Sequence, residues 1–266
     1  MAKKIKHLNE EQWRITLVSG HHHRNRVGQL RHVFAKIPAN PRCKMCNVPF
    51  GGIGGAILGR VWSRPFAKNP NFCDNCAFEG FGGVEVEITA LFADVRGSTT
   101  LGENMSPSDF GQMMNRFYAA TTDVLLKSDA WLDKLVGDEV IGLYIPGFAG
   151  PQHAQLAVTA AQALLRATGH AEPSGPWIPV GVGVHTGVAY VGMVGVEGGI
   201  SDLTALGDTM NTTARLASQA KAGEILVSQA TSAAAGLDTS GLEHRALQLK
   251  GKTDAVDISV LPVAPA

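Results

Sequence analysis

The spacing of apolar residues predicts two amphipathic helices in the second half of the chain. In residues 108–127 apolar side chains recur every three or four positions, as on the buried face of a surface helix. This stripe contains Phe110, Met113, Met114, Phe117 and Val124. We therefore predict helices over residues 108–127 and 152–168, with Ser106 or Ser108 as the N-cap of the first.

The N-terminal third has a different pattern. Residues 9–36 are predicted to be helical, with Asn9 as N-cap ahead of two glutamates and a break at Gly20. Residues 38–83 contain all four cysteines and many Gly and Pro, and are predicted to be irregular. These patterns divide the chain into a helical segment (residues 1–37), a cysteine-containing module (38–83) and a third domain (84–266).

Apolar runs in the third domain predict strands. Residues 84–93 form one β-rich run that ends at Asp94. Two shorter runs, 131–136 and 140–145, flank Gly137 and Asp138 and are typical of a β-hairpin. Because strands alternate with the two predicted helices, we expect an α+β fold with a ferredoxin-like sheet.

Two aspartates are candidate metal ligands. Asp94 precedes a turn through Gly97, Ser98 and Thr99, where backbone N–H groups would donate hydrogen bonds to a phosphate, and Asp138 lies at the hairpin tip. Either aspartate alone is also typical of an ordinary turn. Together, on neighbouring strand ends, they predict a site for Mg²⁺ or Mn²⁺ that carries a polyphosphate.

Composition excludes some classes of partner. With 23 basic and 23 acidic residues and a pI near 7.1, the chain offers no charge excess for nucleic acid or an anionic membrane. No apolar run approaches the ~20 residues of a membrane span. The N-terminus lacks the apolar core of a signal peptide, so we expect a cytoplasmic protein.

Two further motifs identify a family. Residues 183–187 read Gly-Val-His-Thr-Gly, and residues 203–215 read Leu-Thr-Ala-Leu-Gly-Asp-Thr-Met-Asn-Thr-Thr-Ala-Arg. With the two aspartate motifs and the Leu-Lys-Gly-Lys segment at 249–252, they resemble the class III nucleotidyl cyclases in order and content. The resemblance extends from about Val84 to Lys252.

The resemblance implies a role for each motif. Asp94 and Asp138 would bind two Mg²⁺ or Mn²⁺ ions, assisted by the Val95 carbonyl. The other implied roles are purine recognition for Lys134 and Thr204, ribose orientation and transition-state stabilisation for Asn211 and Arg215, and terminal-phosphate binding for Lys250 or Lys252. Asn211 and Arg215 are four residues apart, so they share one face of the helix predicted to open at Asp208.

The implied reaction is cyclisation of a nucleoside triphosphate. Lys134 offers a donor and Thr204 an acceptor, which match N1 and the amino group of adenine, so ATP is the favoured substrate. Guanylate cyclase activity and a catalytically silent sensing module stay open as alternatives. The family also implies a homodimer, in which the metal aspartates face the purine and transition-state residues of the other protomer.

The cysteines lie outside that resemblance. Cys43 and Cys46 form one Cys-x-x-Cys pair and Cys73 and Cys76 another, which predicts a four-thiolate metal site rather than disulfides. A redox dithiol or inert buried thiols are the alternatives, and the histidines 21–23 are rival ligands.

The metal itself is left open by the sequence. Zinc is common in such sites. A [4Fe–4S] cluster would suit a roomy glycine loop at residues 51–55 and a surrounding apolar shell. The predicted shell contains Phe50, Ile53, Phe66, Phe72, Phe78 and Phe81.

Overall fold

The computed structural model describes residues 7–20, 25–61, 64–77, 80–196, 200–248 and 255–263. Its helices are α1 (Glu10–Ser19), α2 (Asn25–Ala35), α3 (Gly52–Val61), α4 (Asp74–Ala77), α5 (Ser98–Asn104), α6 (Pro107–Lys127), α7 (Pro146–Ala149), α8 (His153–Ala167), α9 (Asp208–Gln219) and α10 (Gln229–Ala235). Its strands are β1 (Gly82–Val95), β2 (Trp131–Val136), β3 (Glu139–Tyr144), β4 (Val180–Gly195), β5 (Ser201–Leu206), β6 (Glu224–Ser228), β7 (Glu243–Leu247) and β8 (Val256–Pro262).

The strands form one mixed sheet in the order β2-β3-β1-β4-β6-β8-β7, and β5 pairs with β4. The β4–β6 pair is parallel, whereas β1–β3, β2–β3 and β6–β8 are antiparallel. The predicted α+β sheet is therefore confirmed. None of the helices in the described ranges is long and apolar enough to cross a membrane.

Chain contacts divide the protein into two compact units. The first contains Met1–Val86, Ile145–Pro151 and Ala189–Leu206, and the second contains Glu87–Tyr144, Gln152–Val188 and Gly207–Ala266. The predicted domain boundaries at residues 37 and 83 stay predictions.

The predicted helix ends agree with the capping chemistry. Asn9 forms a capping box with Gln12, and Gly20 ends α1 in the left-handed region at φ 65°. At α6 the N-cap is Ser106, whose hydroxyl accepts the Asp109 N–H. Ser108 lies inside the helix, so that alternative is wrong.

The core face of α6 differs slightly from the predicted stripe. Met114 and Phe117 are buried, whereas Phe110, Met113 and Val124 are only partly buried. Leu125, which is absent from the predicted stripe, is fully buried. It packs against Gly142 of β3, where an added Cβ would lie 2.9 Å from a Leu125 methyl group.

The prediction that residues 38–83 are irregular is wrong in part. Gly52–Val61 forms α3, and Asp74–Ala77 forms α4. The glycines of the predicted loop allow close packing: a Cβ at Gly55 would lie 2.4 Å from the Phe50 carbonyl carbon. The glycine-rich sequence is thus explained by helix packing rather than by an open loop.

Glycines in β4 also bring α9 close to the sheet. A Cβ at Gly183 would lie 2.4 Å from the Ala217 nitrogen, and one at Gly181 would lie 2.7 Å from the Ala220 carbonyl oxygen. On the buried face of α9, Leu216 packs in a cluster with Leu226 and Ile258. These contacts fix the helix that carries Asn211 and Arg215.

Candidate active site

The structure brings Asp94 and the Asp138 turn together at one end of the β1–β3 pair. Asp94 lies opposite Glu139 in the antiparallel register, and the Val95 N–H donates to the Asp138 carbonyl at 3.1 Å. Gly137 adopts φ 61° at the hairpin tip, which a side chain would disfavour. Strand β1 runs through Val95, two residues beyond the predicted end.

Two hydroxyl groups hold the hairpin tip in place. Ser98 donates to the Asp138 carboxylate, and Tyr118 of α6 donates to the Gly137 carbonyl. Ser98 is the first residue of α5, which follows Gly97 at φ 66°. Among the predicted phosphate-loop residues Gly97, Ser98 and Thr99, Ser98 thus contacts Asp138, which the sequence did not predict.

Arg96 is a site residue that the sequence reasoning missed. Its guanidinium pairs with the Asp94 carboxylate, and its Nη1 donates to the Ser218 carbonyl of α9 at 2.8 Å. The arginine therefore links one candidate metal ligand to the helix that carries Asn211 and Arg215. Its position two residues after Asp94 was the available signal, but its partner Ser218 is distant in sequence.

The carboxylates in this region are crowded. Burial raises the pKa of Asp94, with the nearby Asp138 adding to the rise and Arg96 opposing it. Burial, with the charges of Asp94 and Asp138, raises the pKa of Glu139 to about 7. Oxygen ligands whose negative charges repel one another are suited to a hard divalent cation, which would relieve that repulsion.

The two predicted transition-state residues share a helix, as predicted. Asn211 is exposed and Arg215 is half-buried, one turn apart on α9. No described residue forms an ion pair with the Arg215 guanidinium. A planar, permanently charged guanidinium can bind a phosphoryl group through two parallel hydrogen bonds.

The predicted purine-reading residues, Lys134 and Thr204, lie in different compact units. In the second unit, the Lys134 ammonium lies 3.0 Å from the carboxylate of the buried Asp133. A bulge between Leu132 and Lys134 interrupts the β2–β3 register there. In the first unit, Thr204 is buried on β5 opposite Gly192. Lys250 and Lys252 lie outside the described residues.

All four cysteines are buried and close together, and none of them forms a disulfide. Their Sγ atoms lie within 4.8 Å of one another. The pKa of Cys43 is lowered because the Cys46 thiol donates a hydrogen bond to the Cys43 sulfur. The same hydrogen bond raises the pKa of Cys46. The rival histidines 21–23 lie outside the described residues. The structure therefore assembles the predicted four-thiol cluster.

We expect Ser98→Ala to weaken divalent-metal affinity by about 10- to 100-fold, the usual effect of losing a hydrogen bond that orients a ligand. The physical reason is that the Asp138 carboxylate loses its hydroxyl donor. Titration with Mn²⁺, followed by paramagnetic resonance of the free ion, measures this affinity. Thr100→Ala, at an exposed site two residues on, is the matched control. Equal Mn²⁺ affinity in both variants would contradict the orienting role.

Comparisons with known proteins show which family the chain resembles. A family model for the adenylate and guanylate cyclase catalytic domain matches residues 84–258. Adenylate cyclase of Anabaena cylindrica is 28% identical over 207 residues, which are 71% of this chain and 41% of that protein. The chain thus spans about two fifths of that relative's length.

Solved cyclase structures match about two thirds of the chain. The guanylyl cyclase Cya2 matches with a TM-score of 0.62 and 27% identity, over 69% of this chain and 95% of that one. The adenylyl cyclase CyaB from P. aeruginosa matches with a TM-score of 0.58 and 26% identity, over 68% and 96%. With more than half of its residues matched by the catalytic-domain model, the chain belongs to the class III adenylate and guanylate cyclase family.

Proposed function

We propose that this protein is an adenylate cyclase that converts ATP to 3′,5′-cyclic AMP and pyrophosphate. The observation that carries the proposal is the convergence of Asp94 and Asp138 at one end of the β1–β3 pair, within the region matched to the cyclase domain. Two carboxylates and an adjacent backbone carbonyl, that of Val95, are suitable ligands for Mg²⁺ or Mn²⁺.

The reaction is an in-line attack of the ribose 3′-oxygen on the α-phosphorus, with pyrophosphate as the leaving group. Two bound Mg²⁺ or Mn²⁺ ions would lower the pKa of the attacking hydroxyl and neutralise the triphosphate. Asp94 and Asp138 hold their positions through the Arg96 and Ser98 contacts. Pre-set ligands of this kind avoid the cost of rearranging during the reaction.

The remaining chain groups act on the nucleotide. Arg215 stabilises the charge that develops on the α-phosphoryl group, and Asn211 orients the ribose. Backbone amides at Gly97, Ser98 and Thr99 contact phosphate oxygens, and Lys250 or Lys252 binds the terminal phosphates. The position of α9 is set by the close packing at Gly183 and by the Arg96 contact.

Substrate choice rests on Lys134 and Thr204. An ammonium donor matches adenine N1, which is an acceptor, and a hydroxyl acceptor matches the adenine amino group. Guanine instead carries an N–H donor at N1, which needs an acceptor. The carboxylate of the buried Asp133, 3.0 Å from the Lys134 ammonium, would restrict the directions open to it. Turnover of ATP and GTP measured in parallel tests this, and a higher kcat/KM for GTP would overturn the adenylate assignment.

Guanylate cyclase activity is the second candidate. A threonine hydroxyl can donate as well as accept, so Thr204 discriminates between purines less sharply than a carboxylate would. Cya2, a guanylyl cyclase by description, is also among the similar structures.

We expect Lys134→Glu combined with Thr204→Cys to reduce kcat/KM for ATP by about 10- to 100-fold, since each unsatisfied purine group costs about 1–3 kcal/mol. Metal affinity should change little because Asp94 and Asp138 are intact. Lys127→Glu introduces the same charge change at the exposed end of α6 and serves as the control. Unchanged ATP kinetics in the double variant would reject the assigned purine contacts.

We also propose a homodimer with two composite sites. In the family arrangement one protomer contributes Asp94 and Asp138, and its partner contributes Lys134, Thr204, Asn211 and Arg215. Sedimentation analysis of the purified protein tests the oligomeric state, and the expected result is a dimer. A monomer with full activity would contradict the arrangement.

The four-cysteine module is proposed to regulate this activity. The segment between its two cysteine pairs contains Lys68, whose ammonium pairs with Asp202 on β5. Asp202 is two residues before Thr204, so a change in the module can reach the purine contact. The expected effect of losing the module's metal is a larger change in KM for ATP than in kcat. An equal change in both, or none, would argue against this path.

A further inference from the structure

Two tight turns bring the four thiols together. The first turn closes with the Cys43 N–H donating to the Val48 carbonyl at 2.9 Å, and with Asn47 at φ 59°. In the second, the Cys76 N–H donates to the Cys73 carbonyl at 2.9 Å as α4 begins. The Lys44 N–H donates to the Asn71 carbonyl at 3.0 Å and joins the turns. All four cysteines are buried.

The separations between the sulfur atoms are the informative measurement. Cys46 Sγ lies 3.7 Å from Cys73 Sγ, and every Sγ pair of the cluster lies within 4.8 Å. A disulfide would need about 2.05 Å, so the atoms are not bonded. Four thiolates bound tetrahedrally to one zinc ion at ~2.3 Å stand about 3.8 Å apart, the separation found here for Cys46 and Cys73.

We propose that Cys43, Cys46, Cys73 and Cys76 bind a single zinc ion in a closed tetrahedral site. This assignment goes beyond the proposed cyclase function, because all four cysteines precede the matched cyclase domain at residues 84–258. A closed four-thiolate site has no open position for substrate, so the ion is structural and takes no part in the phosphoryl chemistry.

A [4Fe–4S] cluster does not fit this geometry. In a cubane each thiolate binds a different iron at a separate corner, so the sulfurs stand farther apart than thiolates that share one ion. The surroundings also differ from those the sequence suggested. The predicted roomy glycine loop is helix α3, and Ile53 is 82% exposed, so it cannot shield a cluster from water. Phe78 lies outside the described residues.

The local hydrogen bonding suits thiolates that share an ion. The Cys73 N–H points at Cys43 Sγ, 3.3 Å away, and therefore favours the charged sulfur. Behind the site, the buried Phe72 ring packs on Phe148 at a centroid distance of 4.7 Å. The ion would thus join the two turns at their buried sulfur atoms.

Metal and sulfide analysis of the full-length protein, purified anaerobically without an affinity tag, tests the proposal. We expect about one zinc per chain, no acid-labile sulfide and no visible absorption. Replacement by Co²⁺ should give the strong near-ultraviolet charge-transfer bands of a four-thiolate site. Iron with stoichiometric sulfide, iron alone, or a metal-free protein with four freely alkylated thiols would each overturn it.

Variants and a titration separate ligation from folding. Cys46→Ser and Cys73→Ser should lose at least about tenfold in zinc affinity, whereas Asn75→Ser, at an exposed position between two ligands, should keep it. If the cysteine variants do not fold, mercurial titration of the wild-type protein gives the answer. Zinc released in proportion to modified thiols supports the site. Zinc that stays bound after all four thiols react overturns it.

Discussion

Asp94→Asn is expected to reduce cyclase activity by about a thousandfold. The substitution preserves the shape of the side chain but removes its charge, and with it one ligand of the proposed metal site. Charge stabilisation by a bound metal amounts to several kcal/mol, and each ~1.4 kcal/mol changes the rate tenfold. Initial rates at saturating Mn²⁺ measure the effect.

A matched variant separates chemistry from folding. Asp123→Asn removes the same charge from an exposed site on α6 and should retain full activity. Asp94→Asn should keep the wild-type circular dichroism spectrum, since the backbone contact between Val95 and Asp138 is unaffected. Activity above a tenth of wild type would remove Asp94 from the metal site.

A mixture of two inactive variants is expected to regain activity. Asp94→Ala and Arg215→Ala each damage both sites of their own homodimer. In a mixed dimer with composite sites, one site carries both substitutions and the other carries neither. Random assembly makes half of the dimers mixed, so the expected recovery is about a quarter of wild-type activity.

The control for this experiment uses two substitutions on the same side of the site. Asp94→Ala mixed with Asp138→Ala should stay inactive. Both aspartates of a site come from the same protomer, so every site in the mixed dimer carries one of the two substitutions. Differently tagged chains, purified over both tags, establish that mixed dimers have formed. Inactive Asp94→Ala and Arg215→Ala heterodimers would reject shared sites.

The sequence predicted the aspartate pair because local patterns determined both positions. An apolar run placed Asp94 near a strand end, and a glycine between two runs placed Asp138 at a hairpin tip. Gly137 does adopt the left-handed conformation that this turn requires. In the same way, capping chemistry at Asn9 and Ser106 was visible in the sequence because a cap involves neighbouring residues.

Contacts between distant residues were not predictable in this way. Arg96 meets Ser218, and Lys68 meets Asp202, across long stretches of chain that only the folded sheet brings together. No periodicity or turn signal specifies such pairs. They are nevertheless the contacts that connect the candidate metal ligand to α9 and the cysteine module to β5.

Helix α3 was missed for a different reason. Glycine disfavours helices in isolation, so Gly51 to Gly55 was interpreted as a loop. In the folded protein, a Cβ at Gly54 would lie 2.7 Å from an Ile37 methyl group, and one at Gly55 would lie 2.4 Å from the Phe50 carbonyl carbon, so neither position has room for a side chain. Tertiary packing therefore outweighs local propensity here, and the exposed Ile53 and Ile57 show that the helix is not amphipathic in the usual sense.

The most direct test of the central claim follows the phosphates of ATP. The purified protein is incubated with Mn²⁺ and ATP labelled at either the α- or the γ-phosphate, and the products are separated by chromatography. Cyclisation predicts the α-label in 3′,5′-cyclic AMP and the γ-label in pyrophosphate, in equal amounts. A γ-label released as orthophosphate, or no conversion of ATP by metal-loaded dimeric protein, would contradict the account.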